Sequence, residues 1–170
     1  MNTFRIQGGK PLQGTITPQG AKNEALQVIC AVLLTSSPVI LHNVPDIIDV
    51  QQLIALLRVL GVGITHPAKG TYHFDPCHLN TAAIDTEMLK KHATKIRGSV
   101  MILGPLLARF GKVTIPRPGG DRIGRRRLDT HLIGMLKLGA TCSYNDKEDT
   151  YLVEATALKG NYILLNEASV

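Results

Sequence analysis

Alternating runs of apolar and polar residues divide the first half of the chain into short strands and helices. Residues 24–34 are apolar on nearly every helical face, so we predict a helix over Glu24–Leu34 that is buried all round. Apolar residues on one face predict a second helix over Val50–Leu60, with Asp49 as its cap and Gly61 ending it in a left-handed turn. Apolar runs predict strands at Phe4–Ile6, Leu12–Thr17, Val39–Leu41, Val62–His66 and Thr71–Asp75.

The same order of elements returns in the second half. An apolar helix is predicted at Gly98–Ala108, and the later elements are a strand at Val113–Ile115, a helix at Asp129–Leu138 that Gly139 ends, and strands at Ala140–Tyr144 and Thr150–Ala155. Landmarks recur at similar distances: 73 residues separate Lys22 from Lys95, and twice 73, or 146, separate Leu12 from Leu158. We therefore predict two copies of a unit of about 73 residues and a third copy that is cut off.

The repeat predicts an α/β fold. A helix with apolar residues on all faces cannot fold alone and needs neighbouring units around it. Three such units about one axis would place the buried helices inside and the sheets outside. Loops would then converge at one end of the assembly, which is where we expect a ligand site.

A segment rich in arginine and glycine, Arg117–His131, lies between the second-half strand and helix; we call it the Arg-rich segment. Its glycines allow close backbone approach to a ligand, and its guanidinium groups match carboxylate and phosphate oxygens in pairs. Asp121, an acid among these arginines, is placed to handle a proton. The alternative interpretation is a solvated basic loop. Lys22 poses the same choice, because it either meets an anion together with the N–H groups of a helix start or is an ordinary solvent-facing lysine.

The charge balance favours an anionic partner. The 170 residues carry a formal net charge of +6 and are 44% hydrophobic and 19% charged, which is typical of a globular protein. Only 4% are aromatic and none is tryptophan, so the stacking side chains of single-strand nucleic-acid binders are scarce. We expect no nucleic-acid partner, although a non-catalytic domain that binds anions or nucleic acid through the arginines stays an alternative.

The cysteines and histidines predict neither disulfides nor a metal site. Cys30, Cys77 and Cys142 are widely spaced, which is typical of reduced thiols in a cytoplasmic protein, and the six histidines show no metal-ligand spacing with them. No segment reaches the roughly 18 apolar residues of a membrane span. The apolar run after Glu24 lacks the basic start of a signal peptide. We therefore expect a cytoplasmic protein without a membrane partner.

Four stretches together resemble one enzyme family; they are Gly20–Asn23, Leu103–Gly111, Pro118–Gly124 and Arg126–His131. They are similar to the UDP-N-acetylglucosamine 1-carboxyvinyltransferases, enolpyruvyl transferases that commit UDP-N-acetylglucosamine to peptidoglycan synthesis in the bacterial cell wall. The resemblance covers the whole chain, while the family's chain is more than twice as long. It implies two inside-out α/β barrels of three units each, with substrates between them. Residues 1–21 would then belong to the second domain and residues 22–170 to an incomplete first domain.

The resemblance also implies a reaction. The 3-hydroxyl of UDP-N-acetylglucosamine adds to C2 of phosphoenolpyruvate, C3 is protonated, and phosphate leaves a tetrahedral intermediate, without a metal or organic cofactor. Asp121 would donate the proton and Lys22 would contact the phosphoenolpyruvate phosphate. The other implied substrate-binding residues are Asn23, Arg97, Arg126, Arg127, Leu128, Asp129, Thr130, His131, Ser169 and Val170. Because the general base would lie in a missing C-terminal part, we expect this chain alone to be inactive.

Three positions depart from the family pattern. Most members have cysteine where this chain has Asp121, and fosfomycin inhibits them by alkylating that thiol. A carboxylate is a poorer nucleophile, so we expect insensitivity to fosfomycin. Glu167 replaces a lysine and Arg127 replaces a proline, which leaves details of the nucleotide contact open. An enzyme acting on shikimate 3-phosphate is the alternative within the wider family, and the pair Lys22-Asn23 argues against it.

Overall fold

The computed structural model describes residues 3–80, 87–119 and 128–165. The α-helices are α1 (Lys22–Ala31), α2 (Ile48–Val59), α3 (Glu87–Ala93), α4 (Leu103–Phe110) and α5 (Asp129–Lys137), and 3₁₀ helices cover Val32–Leu34 and Arg97–Ile102. The strands are β1 (Val39–Leu41), β2 (Gly63–Ala68), β3 (Thr71–Asp75), β4 (Lys112–Pro116), β5 (Thr141–Asn145) and β6 (Thr150–Glu154).

The strands form two three-stranded antiparallel sheets with matching strand orders. In the first sheet β3 lies between β1 and β2, and Val39 is opposite Phe74. In the second sheet β6 lies between β4 and β5, and Val113 is opposite Val153. Each sheet therefore has its last strand in the middle, joined to an outer neighbour by a hairpin. The arrangement of these halves as repeated units around an axis stays a prediction.

The hydrophobic core lies between the helices and the inner faces of both sheets. Helix α2 contributes a fully buried stripe, and Phe74 and Val153 from the two sheets belong to the same buried core. The members of the α2 stripe are Val50, Leu53, Ile54, Leu56 and Leu57. Each large apolar side chain buried in this way stabilises the fold by about 1.5–3 kcal/mol.

Helix α1 buries only one face, so the prediction of a helix buried all round is wrong in this structure. Ile29 and Cys30 face the core, whereas Val28 is 40% exposed. Leu34, in the 3₁₀ turn after α1, is 56% exposed. The neighbouring elements cover only the side of α1 that packs on α2 and the Arg97–Ile102 3₁₀ helix, while α4 packs on the 3₁₀ turn Val32–Leu34. The second apolar helix, predicted over Gly98–Ala108, begins as that 3₁₀ helix and becomes α4 at Leu103.

No strand forms at Phe4–Ile6 or Leu12–Thr17, which corrects both predictions. The four large apolar side chains of this segment are at least 88% exposed: Phe4, Ile6, Leu12 and Ile16. A strand needs a hydrogen-bonded neighbour, and the described part of the chain pairs none with this segment. The assignment of residues 1–21 to a second domain stays a prediction.

The start of α2 and the presence of α3 also differ from the sequence prediction. Helix α2 ends as predicted at Gly61, whose φ is +90°. Its N-cap is Ile47, so Asp49 lies in the first turn and is not the cap. Helix α3 was not predicted because it is short and buries only Leu89 and Ala93. Among the described residues, no helix has both the length and the apolar character needed to cross a membrane.

Candidate anion-binding site

Helix α1 begins with the first two candidate residues, Lys22 and Asn23, whose side chains are both exposed. The residue two positions earlier, Gly20, lies against the backbone of Asn43 so closely that a Cβ would overlap the Asn43 carbonyl oxygen. Any larger residue at position 20 must therefore displace one of these backbones. This close approach fixes the place where the chain turns into α1.

The ammonium group of Lys22 is paired with a carboxylate. Its Nζ donates a hydrogen bond to Oδ2 of Asp49 over 2.9 Å, which joins the start of α1 to the first turn of α2. Both side chains are about half exposed, at 52% and 42%. The interpretation of Lys22 as an ordinary solvent-facing lysine is therefore incomplete, because the side chain has a defined partner.

Arg97 begins a 3₁₀ helix beside α1. The next residue, Gly98, lies against Leu26 of α1, where a Cβ would stand 3.2 Å from Cδ1 of the leucine. Arg97 is itself partly buried. The small residue at position 98 thus allows the start of the 3₁₀ helix to approach the first two turns of α1.

The first residues of the Arg-rich segment, 117–119, lie beside the turn that leads to Arg97. Gly119 lies against the turn that precedes the 3₁₀ helix, and a Cβ there would overlap the carbonyl oxygen of Thr94. Strand β4 ends at Pro116, directly before the segment. The backbone N–H of Arg117 donates a hydrogen bond to the carbonyl oxygen of Asp149 over 2.9 Å. Gly119 is therefore in contact with a residue, Thr94, that lies three positions before Arg97 in the sequence.

The starts of α1 and α2 therefore meet at the Lys22–Asp49 pair, and the start of the 3₁₀ helix packs beside Leu26 of α1. The helices that begin at Lys22, Ile48 and Arg97 pack on one another, and none of the three has a side-chain cap. The partial positive charge of helix N-termini adds to the charges of Lys22 and Arg97, which favours an anion. Asp49 is the opposing charge. Phosphate or carboxylate groups are the ligands that this arrangement fits.

The remaining candidate residues lie in two other places. Leu128 is the N-cap residue of α5 and packs against the core, Asp129 and Thr130 are partly buried in the first turn, and His131 is exposed. Helix α5 packs against β5. It also approaches α4, because a Cβ added at Gly104 would lie 3.4 Å from Cε of Met135. The other predicted positions lie outside the described residues: Asp121, Arg126, Arg127, Ser169 and Val170.

A cavity of about 230 Å³ opens between α1 and the loop after β1. Gly20, Glu24 and Val28 line it from the side of α1, and His42 and Asn43 line it from the loop. Pockets that hold drug-sized ligands usually measure about 300–1,000 Å³. The cavity is therefore too small to hold a nucleotide sugar alone.

The three cysteines differ in burial and in what raises the pKa of each thiol. Burial raises the pKa of Cys30 to about 12 and also raises the pKa of Cys142. Cys77 is exposed, and its hydrogen bond to the Asp75 carboxylate raises its pKa. Within residues 3–80, 87–119 and 128–165, no three His, Cys, Asp or Glu side chains are grouped to hold a metal ion.

Sequence analysis missed two residues of this region. Asp49 was interpreted as a helix cap, and only the fold shows that its carboxylate reaches Lys22, 27 positions earlier. Gly20 was noted only as part of a motif, because a close approach to Asn43 leaves no periodic signal in sequence. A glycine two residues before the lysine that begins α1 was the available hint.

Comparisons with known proteins agree on one family. The family model described as EPSP synthase (3-phosphoshikimate 1-carboxyvinyltransferase) matches residues 6–170. A Bacteroides fragilis protein named UDP-N-acetylglucosamine 1-carboxyvinyltransferase is 49% identical over 170 residues, which is 100% of this chain and 39% of the relative. A Treponema denticola protein of the same name is 41% identical over 170 residues, covering 100% of this chain and 38% of the relative.

The fold has a solved counterpart. The crystal structure of the enolpyruvyl transferase NikO from Streptomyces tendae superimposes with a TM-score of 0.72 at 22% identity, covering 89% of this chain and 32% of that chain. This likeness concerns the fold alone. The chain spans about 39% of the length of the B. fragilis relative it matches. With a family model that covers nearly all of it, the chain belongs to the EPSP synthase (3-phosphoshikimate 1-carboxyvinyltransferase) family.

Proposed function

We propose that this chain is part of an enzyme that transfers the enolpyruvyl group of phosphoenolpyruvate to the 3-hydroxyl of UDP-N-acetylglucosamine, in peptidoglycan synthesis. The observation that carries the proposal is the 49% identity, along the whole chain, to relatives named for that activity. The placement of Lys22 at the start of α1, of Arg97 at the start of a 3₁₀ helix that packs on α1, and of Gly119 against Thr94 supports it. Phosphoenolpyruvate carries a phosphate and a carboxylate, and charge-assisted hydrogen bonds at about 1.5–3 kcal/mol each would orient such a substrate.

Each proposed residue has a chemical task. Lys22 binds the phosphate of phosphoenolpyruvate, Asn23 holds both substrates, and Arg97 and Arg126 bind anionic substrate groups. Asp121 gives a proton to C3 while the sugar hydroxyl loses its proton to the general base and bonds to C2; phosphate then leaves as C3 gives up a proton, which re-forms the double bond. The nucleotide contacts are assigned to Arg127, Leu128, Asp129, Thr130, His131, Ser169 and Val170.

The remaining parts of the site are proposed to come from outside these 170 residues. The cavity of about 230 Å³ beside α1 is smaller than a nucleotide-sugar site, so a second wall is needed. We assign that wall and the general base to the length by which the relatives exceed this chain. Residues 1–21, with four large apolar side chains exposed, fit a place in that second domain, and the two sheets fit two of three units of an inside-out barrel.

Shikimate 3-phosphate is the second candidate acceptor, because the matching family model is described by that activity. The two acceptors are distinguished by measuring phosphate release from phosphoenolpyruvate with each acceptor in turn, using the protein at the full length of its relatives. Release with UDP-N-acetylglucosamine alone supports the proposal. Release with shikimate 3-phosphate alone identifies shikimate 3-phosphate as the acceptor. Release with neither acceptor excludes both candidate functions.

A further inference from the structure

Asp49 bears a charge of the wrong sign for an anion site. Its carboxylate lies 2.9 Å from the ammonium group of Lys22, where the uncapped start of α1 meets the first turn of α2. A carboxylate there repels an incoming phosphate. It therefore weakens anion binding unless it also positions a group that binds the anion. We infer that Asp49 is a positioning residue that holds the Lys22 ammonium group toward the phosphoenolpyruvate phosphate; this inference rests on the proposed function.

The geometry of the pair supports this role. Lysine has four rotatable bonds, and its ammonium group is a flexible point charge that gains precision from a fixed partner. The Lys22 side chain reaches from the first turn of α1 to Asp49 in the first turn of α2. The bond to Asp49 uses one of three N–H donors, so two remain to donate to phosphate oxygens.

A purely structural role accounts poorly for the pair. Both side chains are about half exposed, and exposed ion pairs contribute little to the stability of a fold. Asp49 makes no capping bond within its own helix, because the N-cap residue is Ile47 and no side chain caps α2. The negative charge of Asp49 interacts favourably with the helix dipole of α2. Replacing Asp49 by asparagine removes only that modest contribution to the stability of the fold.

The test is a double-mutant cycle in the protein at the full length of its relatives, with turnover of phosphoenolpyruvate and UDP-N-acetylglucosamine as the readout. We expect Asp49→Asn to raise the KM for phosphoenolpyruvate and lower kcat/KM about tenfold, with the KM for UDP-N-acetylglucosamine unchanged within about twofold. Because Asp49 acts through Lys22, adding Asp49→Asn to Lys22→Gln should lower kcat/KM no further, within about threefold. Asp46→Asn, which removes an exposed carboxylate three positions away, is the matched control and should behave as wild type.

Each other outcome has a distinct meaning. A lower KM for phosphoenolpyruvate in Asp49→Asn identifies Asp49 as a competitor for Lys22 and overturns the inference. Full additivity of the two changes, or a lower melting temperature with unchanged kinetics, assigns Asp49 a structural role and also overturns it. Wild-type protein that does not turn over the two substrates contradicts the proposed function itself, and therefore also the inference that rests on it.

Discussion

Gly119 and Thr94 are in backbone contact, so closely that a Cβ on the glycine would overlap the threonine carbonyl oxygen. This contact sets the start of the Arg-rich segment against the turn that leads to Arg97. The relationship joins the two arginine-bearing parts of the candidate site through the main chain. It makes the position of the segment depend on a residue without a side chain.

Replacement of Gly119 by alanine should therefore displace the Arg-rich segment. Overpacking of this kind costs about 1–3 kcal/mol, and in the full-length protein we expect weaker UDP-N-acetylglucosamine binding together with a lower melting temperature. Calorimetry and thermal unfolding measure the two effects. Gly160→Ala is the matched control, because a Cβ at Gly160 meets no atom within 4 Å. Equal effects of both substitutions would show that the contact with Thr94 is unimportant.

Hydrogen bonds of Arg109 connect α4 to the end of the 3₁₀ turn that follows α1. Its guanidinium donates to the carbonyl oxygens of Thr35 at 2.7 Å, Leu33 at 3.3 Å and Pro76 at 3.5 Å. Arg109→Met keeps much of the apolar stem but leaves these carbonyls without the donor, so we expect a loss of about 1–3 kcal/mol in the free energy of unfolding. Urea unfolding measures it. Arg58→Met, at an exposed arginine of α2, should change stability by less than about 0.5 kcal/mol.

His92 should make the fold less stable in mild acid. Burial, and then the charges of Lys95 and Lys91, lower its pKa from the ordinary 6.5, and its Nδ1 has no hydrogen-bond partner. The unfolded chain therefore binds more protons than the fold as pH drops below about 6.5. Stability from this group is fully present above pH 6.5 and is lost as pH falls toward the folded pKa.

Melting temperatures between pH 7.5 and pH 5 test the role of His92. We expect His92→Gln to flatten the acid side of the profile. His73→Gln, at an exposed histidine of β3, should leave the wild-type slope in place. A steep slope that persists in His92→Gln would assign the acid sensitivity to other groups.

Asp75 should slow the reaction of Cys77 with thiol reagents. The hydrogen bond between the Cys77 thiol and the Asp75 carboxylate, which favours the neutral thiol, is the main cause of the raised pKa of Cys77. Asp75→Asn should lower that pKa and speed alkylation near pH 8, as measured by mass spectrometry of the Cys77 peptide. Buried Cys30 is the internal reference, and it should stay unmodified in both proteins until they unfold. An unchanged rate at Cys77 would show that Asp75 does not control it.

Asp121 should decide both catalysis and the response to fosfomycin. As the proposed general acid it contributes about 10²–10⁴-fold to the rate, so Asp121→Asn should lower kcat by that factor in the full-length protein. Asp121→Cys should retain turnover and become sensitive to fosfomycin, while the wild type stays insensitive. Mass spectrometry of the treated proteins provides the check, because an adduct on wild-type Asp121 contradicts the proposed difference between carboxylate and thiol.

Much of the secondary structure could be predicted because its signals are local. The apolar stripe of α2, its end at Gly61 and the run Val39–Leu41 depend on periodicity and turn chemistry within a few residues. The failures depend on distant neighbours. Phe4–Ile6 has a strand pattern but no partner strand among the described residues, and Glu24–Leu34 is apolar on nearly every helical face but has neighbours on one side only.

The candidate site divides in the same way. The place of Lys22 directly before an apolar helix is visible in sequence, whereas Arg97 was indicated only by the family resemblance. The pairing of Lys22 with Asp49 and the contact of Gly119 with Thr94 depend on tertiary packing across 27 and 25 positions, which no local pattern encodes.

The most direct test of the central proposal is phosphate release from phosphoenolpyruvate by the protein at the full length of its relatives, with UDP-N-acetylglucosamine and shikimate 3-phosphate as separate acceptors. We predict release only with UDP-N-acetylglucosamine, and loss of most of that release on Lys22→Gln. Release that requires shikimate 3-phosphate, or none with either acceptor, would contradict the account.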